Sequence, residues 1–241
     1  MTWLRSTSNL RAPTVAALSI AVCSAAMAGS LSIVNPGFEV DVAPATGATG
    51  WTITSGGTDW FVADGNQADS SNDPSAAFEG SNWLSGNRLV NGASSSSNPQ
   101  TIEQLIDIST EAALIDAGSA SVDLSFQFSD SDQNDDSTVN ISFFSDVAGT
   151  SPLGAVLTSN VLEPTAADGV ADAPWALREL SGAIPVGTRS MSLELVIQRS
   201  AGSAGNTHFD DFRGSIVPEP AATSLISLAI VSLAAAVRRR V

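Results

Sequence analysis

Three stretches of the chain alternate apolar and polar residues with a period of two. In residues 121–129, Val122, Leu124, Phe126 and Phe128 alternate with Asp123, Ser125 and Gln127. In residues 138–145, Val139, Ile141 and Phe143 alternate with Asn140 and Ser142. In residues 189–199, Met191, Leu193, Leu195 and Ile197 alternate with Ser192, Glu194, Val196 and Gln198. Successive side chains of a strand point to opposite faces, so each stretch offers one apolar face to a core and one mostly polar face to solvent. Further strands are expected at 31–34, 51–54, 60–63, 76–79, 101–108, 155–159, 176–180 and 209–216, punctuated by Gly, Pro, Asn, Asp and Ser. One short helix is expected at 109–115. Many short strands between turn signals predict an all-β, antiparallel two-sheet sandwich of jelly-roll type.

Composition removes several chemistries. The 241 residues carry 25 acidic side chains, ten basic ones, one His and one Cys, for a formal charge of −15. Every basic residue is Arg, which excludes Schiff-base and P-loop lysine chemistry. One cysteine, Cys23, permits no intrachain disulfide and no CxxC metal site. The acidity argues against nucleic acid, which needs clustered cations. No G-x-S-x-G elbow accompanies His208, expected at a surface or edge, and no cleft can be picked from so many carboxylates. A non-enzymatic role is therefore expected.

The two ends read as address labels. Arg5 and Arg11, an apolar run over 15–25 and Ala26-Met27-Ala28 match a secretory signal peptide cut after Ala28 by the export machinery's signal peptidase. At the other end, Val217-Pro218-Glu219-Pro220 precedes 221–237, which is uncharged, and then Arg238, Arg239 and Arg240. That stretch would span about 25 Å as a helix, close to a short bilayer span. The tail resembles the PEP-CTERM sorting signal of Gram-negative bacteria, a segment also labelled an ice-binding protein C-terminal segment. The resemblance implies cutting by an exosortase near Pro218, Glu219 and Pro220, and an association with exopolysaccharide and biofilm matrix. The expected organisation is a signal helix over 1–28, a sandwich over 29–214 and a tail over 215–241 with a transmembrane helix at 221–237. The expected location is an inner-membrane tail-anchored intermediate, then the cell surface or outside.

Residues 29–217 hold every acidic residue but Glu219 against five arginines, a balance of −19. Asn35-Pro36-Gly37-Phe38-Glu39, with Gly50-Trp51 beyond, resembles the opening of galactose-binding-like jelly rolls and carbohydrate-binding modules. Phe209-Asp210-Asp211-Phe212 resembles their closing strand. In those modules a structural calcium joins the first and last strands, which implies Glu39 and Asp210 as ligands here. Asp41, two residues beyond Glu39, would share its face if the segment were a strand, and Asp211 would face away from Asp210. The run 130–136 fails as an EF-hand at Asp135 and Ile141 and is expected as a solvated hairpin loop. Trp83, among loop-forming residues, is the expected exposed ring of a carbohydrate site. Two roles follow: an exported, calcium-braced structural module of the matrix, or a module that binds a glycan.

Overall fold

The computed structural model describes residues 28–55, 60–66, 73–86, 98–130, 135–162, 174–201 and 205–219. The strands are β1 (Gly29–Ser30), β2 (Ala45–Thr46), β3 (Thr52–Ser55), β4 (Phe61–Asp64), β5 (Asn82–Ser85), β6 (Gln100–Asp107), β7 (Ala120–Asp130), β8 (Asp135–Phe144), β9 (Leu157–Thr158), β10 (Ala176–Ala183), β11 (Ser190–Arg199) and β12 (Thr207–Pro218). The larger sheet runs β10-β7-β12-β5-β4-β2, with β1 also on β12, and the smaller runs β3-β6-β11-β8-β9. Every strand pair in both is antiparallel. The two sheets face each other across one apolar core, as the alternating strands require.

That core is where the period-two pattern places it. Met191, Leu193 and Leu195 are fully buried and Ile197 nearly so. Val122, Leu124, Phe126 and Phe128 of β7 supply the facing layer. From the closing strand, Phe209 and Phe212 join it, with Phe126 and Phe212 stacked at 5.2 Å between ring centroids. Each such aromatic pair adds about 0.5–1.5 kcal/mol beyond area burial.

Four expectations need correction here. No described helix is long and apolar enough to cross a membrane. The helical segment among the described residues is a 3-10 turn, Ser109–Glu111, leading into α1 (Ala112–Asp116). The two flanking helices are therefore not part of the described fold, and the tail-anchored stage at the inner membrane is withdrawn. The signal stretch up to Met27, Pro220, the apolar stretch 221–237 and Arg238, Arg239 and Arg240 lie outside the described residues. Second, the closing strand, expected over 209–216, continues through Pro218 into the stretch assigned to the tail. Val217 and Pro218 pair with Ser121 and Ala120, and the Glu219 N–H donates to the Ser119 carbonyl. Third, β7 and β8 lie in different sheets, so 130–136 spans a crossing between sheets and is no hairpin. Of its described residues, Asp130 and Asp135 are buried and Asp136 is exposed. Fourth, residues 76–79 are a loop, while β5 is a strand inside the larger sheet.

Candidate functional site

The opening loop and the closing strand meet at one end of the sandwich, and their backbone is strained there. Among the described non-glycine residues, positive φ occurs at Asn35 (52°), Phe38 (60°) and Asp211 (48°). Such conformations cost on the order of 1–3 kcal/mol each and persist where surrounding contacts over-determine them. Phe38 is held by burial against Trp51 and Phe212, with ring centroids at 5.9 and 6.2 Å. Asn35 is held by its own amide, which donates to Asp41 Oδ2 at 2.7 Å while its Oδ1 accepts from the Val40 N–H at 3.0 Å.

Asp211 sits on a bulge. Asp210 pairs with Gln127 and Arg213 with Ser125, so β12 carries one residue more than β7 between them. Phe209 and Phe212 both enter the core, and both aspartates stay out of it. The strict alternation expected for Asp210 and Asp211 is broken for this reason.

Asp210 is fully buried, and its carboxylate is wrapped in backbone donors. Oδ2 accepts from the N–H groups of Phe78 (2.9 Å) and Glu79 (3.0 Å), and Oδ1 from that of Asp211 (2.7 Å). Burial pushes the carboxyl up to about 7, against the N–H donors, which pull it down. Glu39 reaches the same segment: its Oε1 accepts from the N–H groups of Ser81 (2.9 Å) and Asn82 (2.7 Å). A Cβ at Gly37 would lie 3.7 Å from Asp210 Oδ1 and 4.0 Å from the Glu39 Cγ, so the two acids flank this glycine.

The acids implied for calcium are thus partly brought together. Glu39 and Asp210 converge on residues 78–82. Asp41 does not join them, because residues 35–41 form turns and the strand rule that aimed it does not apply. It binds Asn35 and takes the Thr49 hydroxyl at 2.6 Å and N–H at 3.0 Å. Among the described residues no group of three or more His, Cys, Asp or Glu side chains is arranged to hold a metal. Two carboxylates would supply one part of a calcium shell, and among the described residues the hydrogen bonds to the Glu39 carboxylate all go to Oε1.

Trp83 is not an exposed ring. It is fully buried on the outer face of the larger sheet, in a small second cluster with Phe61 and Ala63. Residues 73–79 cover that face, and the Trp175 Nε1–H donates to the Ala76 carbonyl at 2.9 Å. His208 lies under the same cover, fully buried, with Nε2 3.1 Å from Asp73 Oδ1 and its ring edge-on to Trp83. The expectation of a surface histidine fails because the sheet's outer face is itself partly covered.

The rest of that face is open, and it forms a groove of about 540 Å³ across β10, β7 and β12. The strand register builds it as two rows. Glu179, Ser125 and Arg213 are opposite one another across the three strands, and so are Ser181, Asp123 and Ser215. Backbone of Leu124, Leu180 and Gly214 separates them. The bulge places Arg213 at the rim, where its Nε donates to Asp211 Oδ1 at 2.8 Å and its Nη2 reaches Glu79 Oε2 at 3.3 Å. The Asp211 hydrogen bond, then its charge, raises the guanidinium above its ordinary value. Beside Glu79 stands Phe78, 49% exposed, the exposed aromatic among the described residues. Asp210 fixes the backbone of both.

No family model matches the chain, and no curated protein sequence does. Its fold is similar to that of a Stig cyclase, FisC, from Fischerella sp. TAU, solved with a pyrrolidinylidene-indole. That match has a TM-score of 0.52 at 15% identity, covering 80% of this chain and 100% of that one. A second cyclase structure from Fischerella sp. TAU gives a TM-score of 0.53 at 15% identity, covering 80% and 99%. An apo cyclase from Fischerella sp. gives 0.52 at 13%, covering 80% and 98%. At these identities the likeness concerns the two-sheet fold alone.

Proposed function

We propose that the chain is a glycan-binding module whose ligand lies in the groove across β10, β7 and β12. The observation that carries this reading is the groove's chemistry. Carboxylate acceptors (Asp123, Glu179), hydroxyls (Ser125, Ser181, Ser215) and a fixed guanidinium (Arg213) converge on one concave face. Sugar hydroxyls are both donors and acceptors, and this set offers both at fixed spacing. The groove's volume of about 540 Å³ falls within the size range of small-molecule sites.

Titration calorimetry of the purified protein against defined oligosaccharides and exopolysaccharide fragments tests the reading. Arg213→Ala and Asp123→Ala are each expected to weaken binding at least about tenfold, equal to about 1.4 kcal/mol. Binding unaffected by either variant would move the ligand elsewhere, and the absence of any binding would end the reading. A matrix role beside exopolysaccharide, with exosortase processing, belongs to the same proposal and rests on the sequence of the tail.

Calcium enters as a brace. Glu39 and Asp210 would hold it, and it would supply positive charge between two acids of a strongly acidic body. Extracellular calcium modules have Kd values of about 10⁻⁴–10⁻³ M. At about 1 mM calcium and a Kd of about 0.1 mM, linkage stabilises the fold by roughly 1.4 kcal/mol. This is expected to raise Tm by about 2–4 °C per kcal/mol for a domain of this size. Asp210→Asn should remove most of the response at fixed ionic strength, and Asp41→Asn should leave it. Identical melts with calcium and with chelator would remove the ion from the account.

A further inference from the structure

The groove does not end at the sheet's edge. A second depression of about 280 Å³ is lined by Ser159, Asn160, Val161, Leu162, Arg178 and Glu179. Glu179 lines both. It sits on β10, the last strand of the larger sheet on that side. Glu179 belongs to the outer row of the groove, and its neighbour Arg178 lies over the Phe128 ring, 5.6 Å from Cζ to centroid. Neighbouring residues of a strand point to opposite faces, so a molecule rounding β10 meets Glu179 on one side and Arg178 on the other.

We propose that the groove takes a linear glycan chain that crosses β10 at Glu179 and fills a second subsite beside Asn160. The proposal rests on the glycan reading and deepens it. The distance from β12 over β7 to β10 is already about 10 Å at the spacing of paired strands. A ligand that touches both Arg213 and Asn160 is therefore an oligomer. Asn160 is prepared for it. Its backbone is pinned, with its carbonyl accepting from Ser159 Oγ at 2.8 Å while that oxygen accepts from the Val139 N–H at 3.0 Å. Its exposed side-chain amide makes no hydrogen bond within the described residues and offers both donors and an acceptor to adjacent hydroxyls.

Charge narrows the class. Arg213 is already shared between Asp211 and Glu79, and Asp123 and Glu179 add two further carboxylates. Counting the partners of Arg213, four carboxylates (Asp123, Glu179, Glu79 and Asp211) stand against two guanidiniums, Arg213 and the Arg178 of the second subsite, and the body around them is acidic throughout. Like charges repel uronate or sulfated chains, so the chain is one without carboxylates or sulfates.

The probes are cellobiose, cellohexaose, chitobiose, chitohexaose and hexagalacturonate, titrated into the purified protein and its Asn160→Ala and Arg213→Ala variants. In one neutral series the hexamer is expected to bind at least about tenfold more tightly than the dimer, because linked subsites add their contacts. Asn160→Ala should lower hexamer affinity at least about fivefold and leave dimer affinity and Tm unchanged, whereas Arg213→Ala should lower both. Equal affinity for dimer and hexamer, or a hexamer indifferent to Asn160→Ala, overturns the second subsite but leaves the groove reading standing. Tightest binding by hexagalacturonate overturns the charge argument. No binding by any probe overturns this inference, and with Arg213-independent behaviour toward exopolysaccharide fragments it overturns the groove reading as well.

Discussion

Leu195→Ala is expected to lower stability by about 2–5 kcal/mol, the cost of lost burial plus the cavity left behind. Leu195 is fully buried and lies in register between Ile102 of β6 and Val139 of β8, both also fully buried. Paired neighbours on both sides limit how far the site can collapse. Val196, one residue on, faces the other way and is only partly covered. Val196→Thr should therefore cost less than about 1 kcal/mol. Denaturant titration measures both, and the Leu195 variant should shift the midpoint with its slope unchanged. Equal costs for the two substitutions would mean that the inside and outside faces of β11 are assigned the wrong way round.

The same contrast explains how much of the fold was legible. A strict alternation over ten residues leaves a buried strand one way to face, so Met191 to Ile197 could be placed from sequence alone. β5 could not. Its four residues, Asn82–Ser85, follow Gly80 and Ser81, and nothing local separates them from a loop. The burial of Trp83 depends on residues 73–79 folding over the outer face, which is a tertiary event. The groove was hidden for a related reason. Asp123 and Ser125 read as the solvated side of a strand, Glu179 fell in an expected strand over 176–180, and Ser181 lay just beyond it. Only the pairing of β10, β7 and β12 lines them up with Arg213. The polar half of the alternation was the available signal, and it needed the register to become a site. Glu39 and Asp210 were reachable through their resemblance to known modules, but their backbone N–H partners in residues 78–82 were not. Asp41 and Asp211 were misplaced because turns at 35–41 and a bulge at Asp211 interrupt the period that aimed them.

With a chelator present, the protein is expected to be more stable near pH 5 than near pH 8, and Asp210 to be the main cause. Its carboxyl protonates at about 7 in the folded chain and near its ordinary 3.8 when unfolded. Between those values the folded state holds a proton that the unfolded state has released. This contribution is fully present below about pH 4 and is lost as pH rises through about 7. Its size is on the order of 4 kcal/mol, since each pKa unit is worth about 1.4 kcal/mol and the side chain is fully buried. The opposing groups act in another window. Asp107, Asp116 and Asp146 are held below their ordinary values by the Ser109 N–H, the Arg189 guanidinium and the Thr150 N–H respectively. Their contribution is present above about pH 4 and is lost only as pH falls further. Melts at fixed ionic strength from pH 4 to pH 8 should show the decline, and Asp210→Asn, which cannot ionise, should flatten it. Asn keeps one oxygen for the Phe78 and Glu79 donors but sets an amide against the Asp211 N–H, so the variant should also be less stable at pH 5. The proposed calcium would favour the ionised carboxylate, so its addition should reduce the slope in the parent protein. A decline of the same steepness in Asp210→Asn would assign the effect to the general acidic repulsion of the body instead.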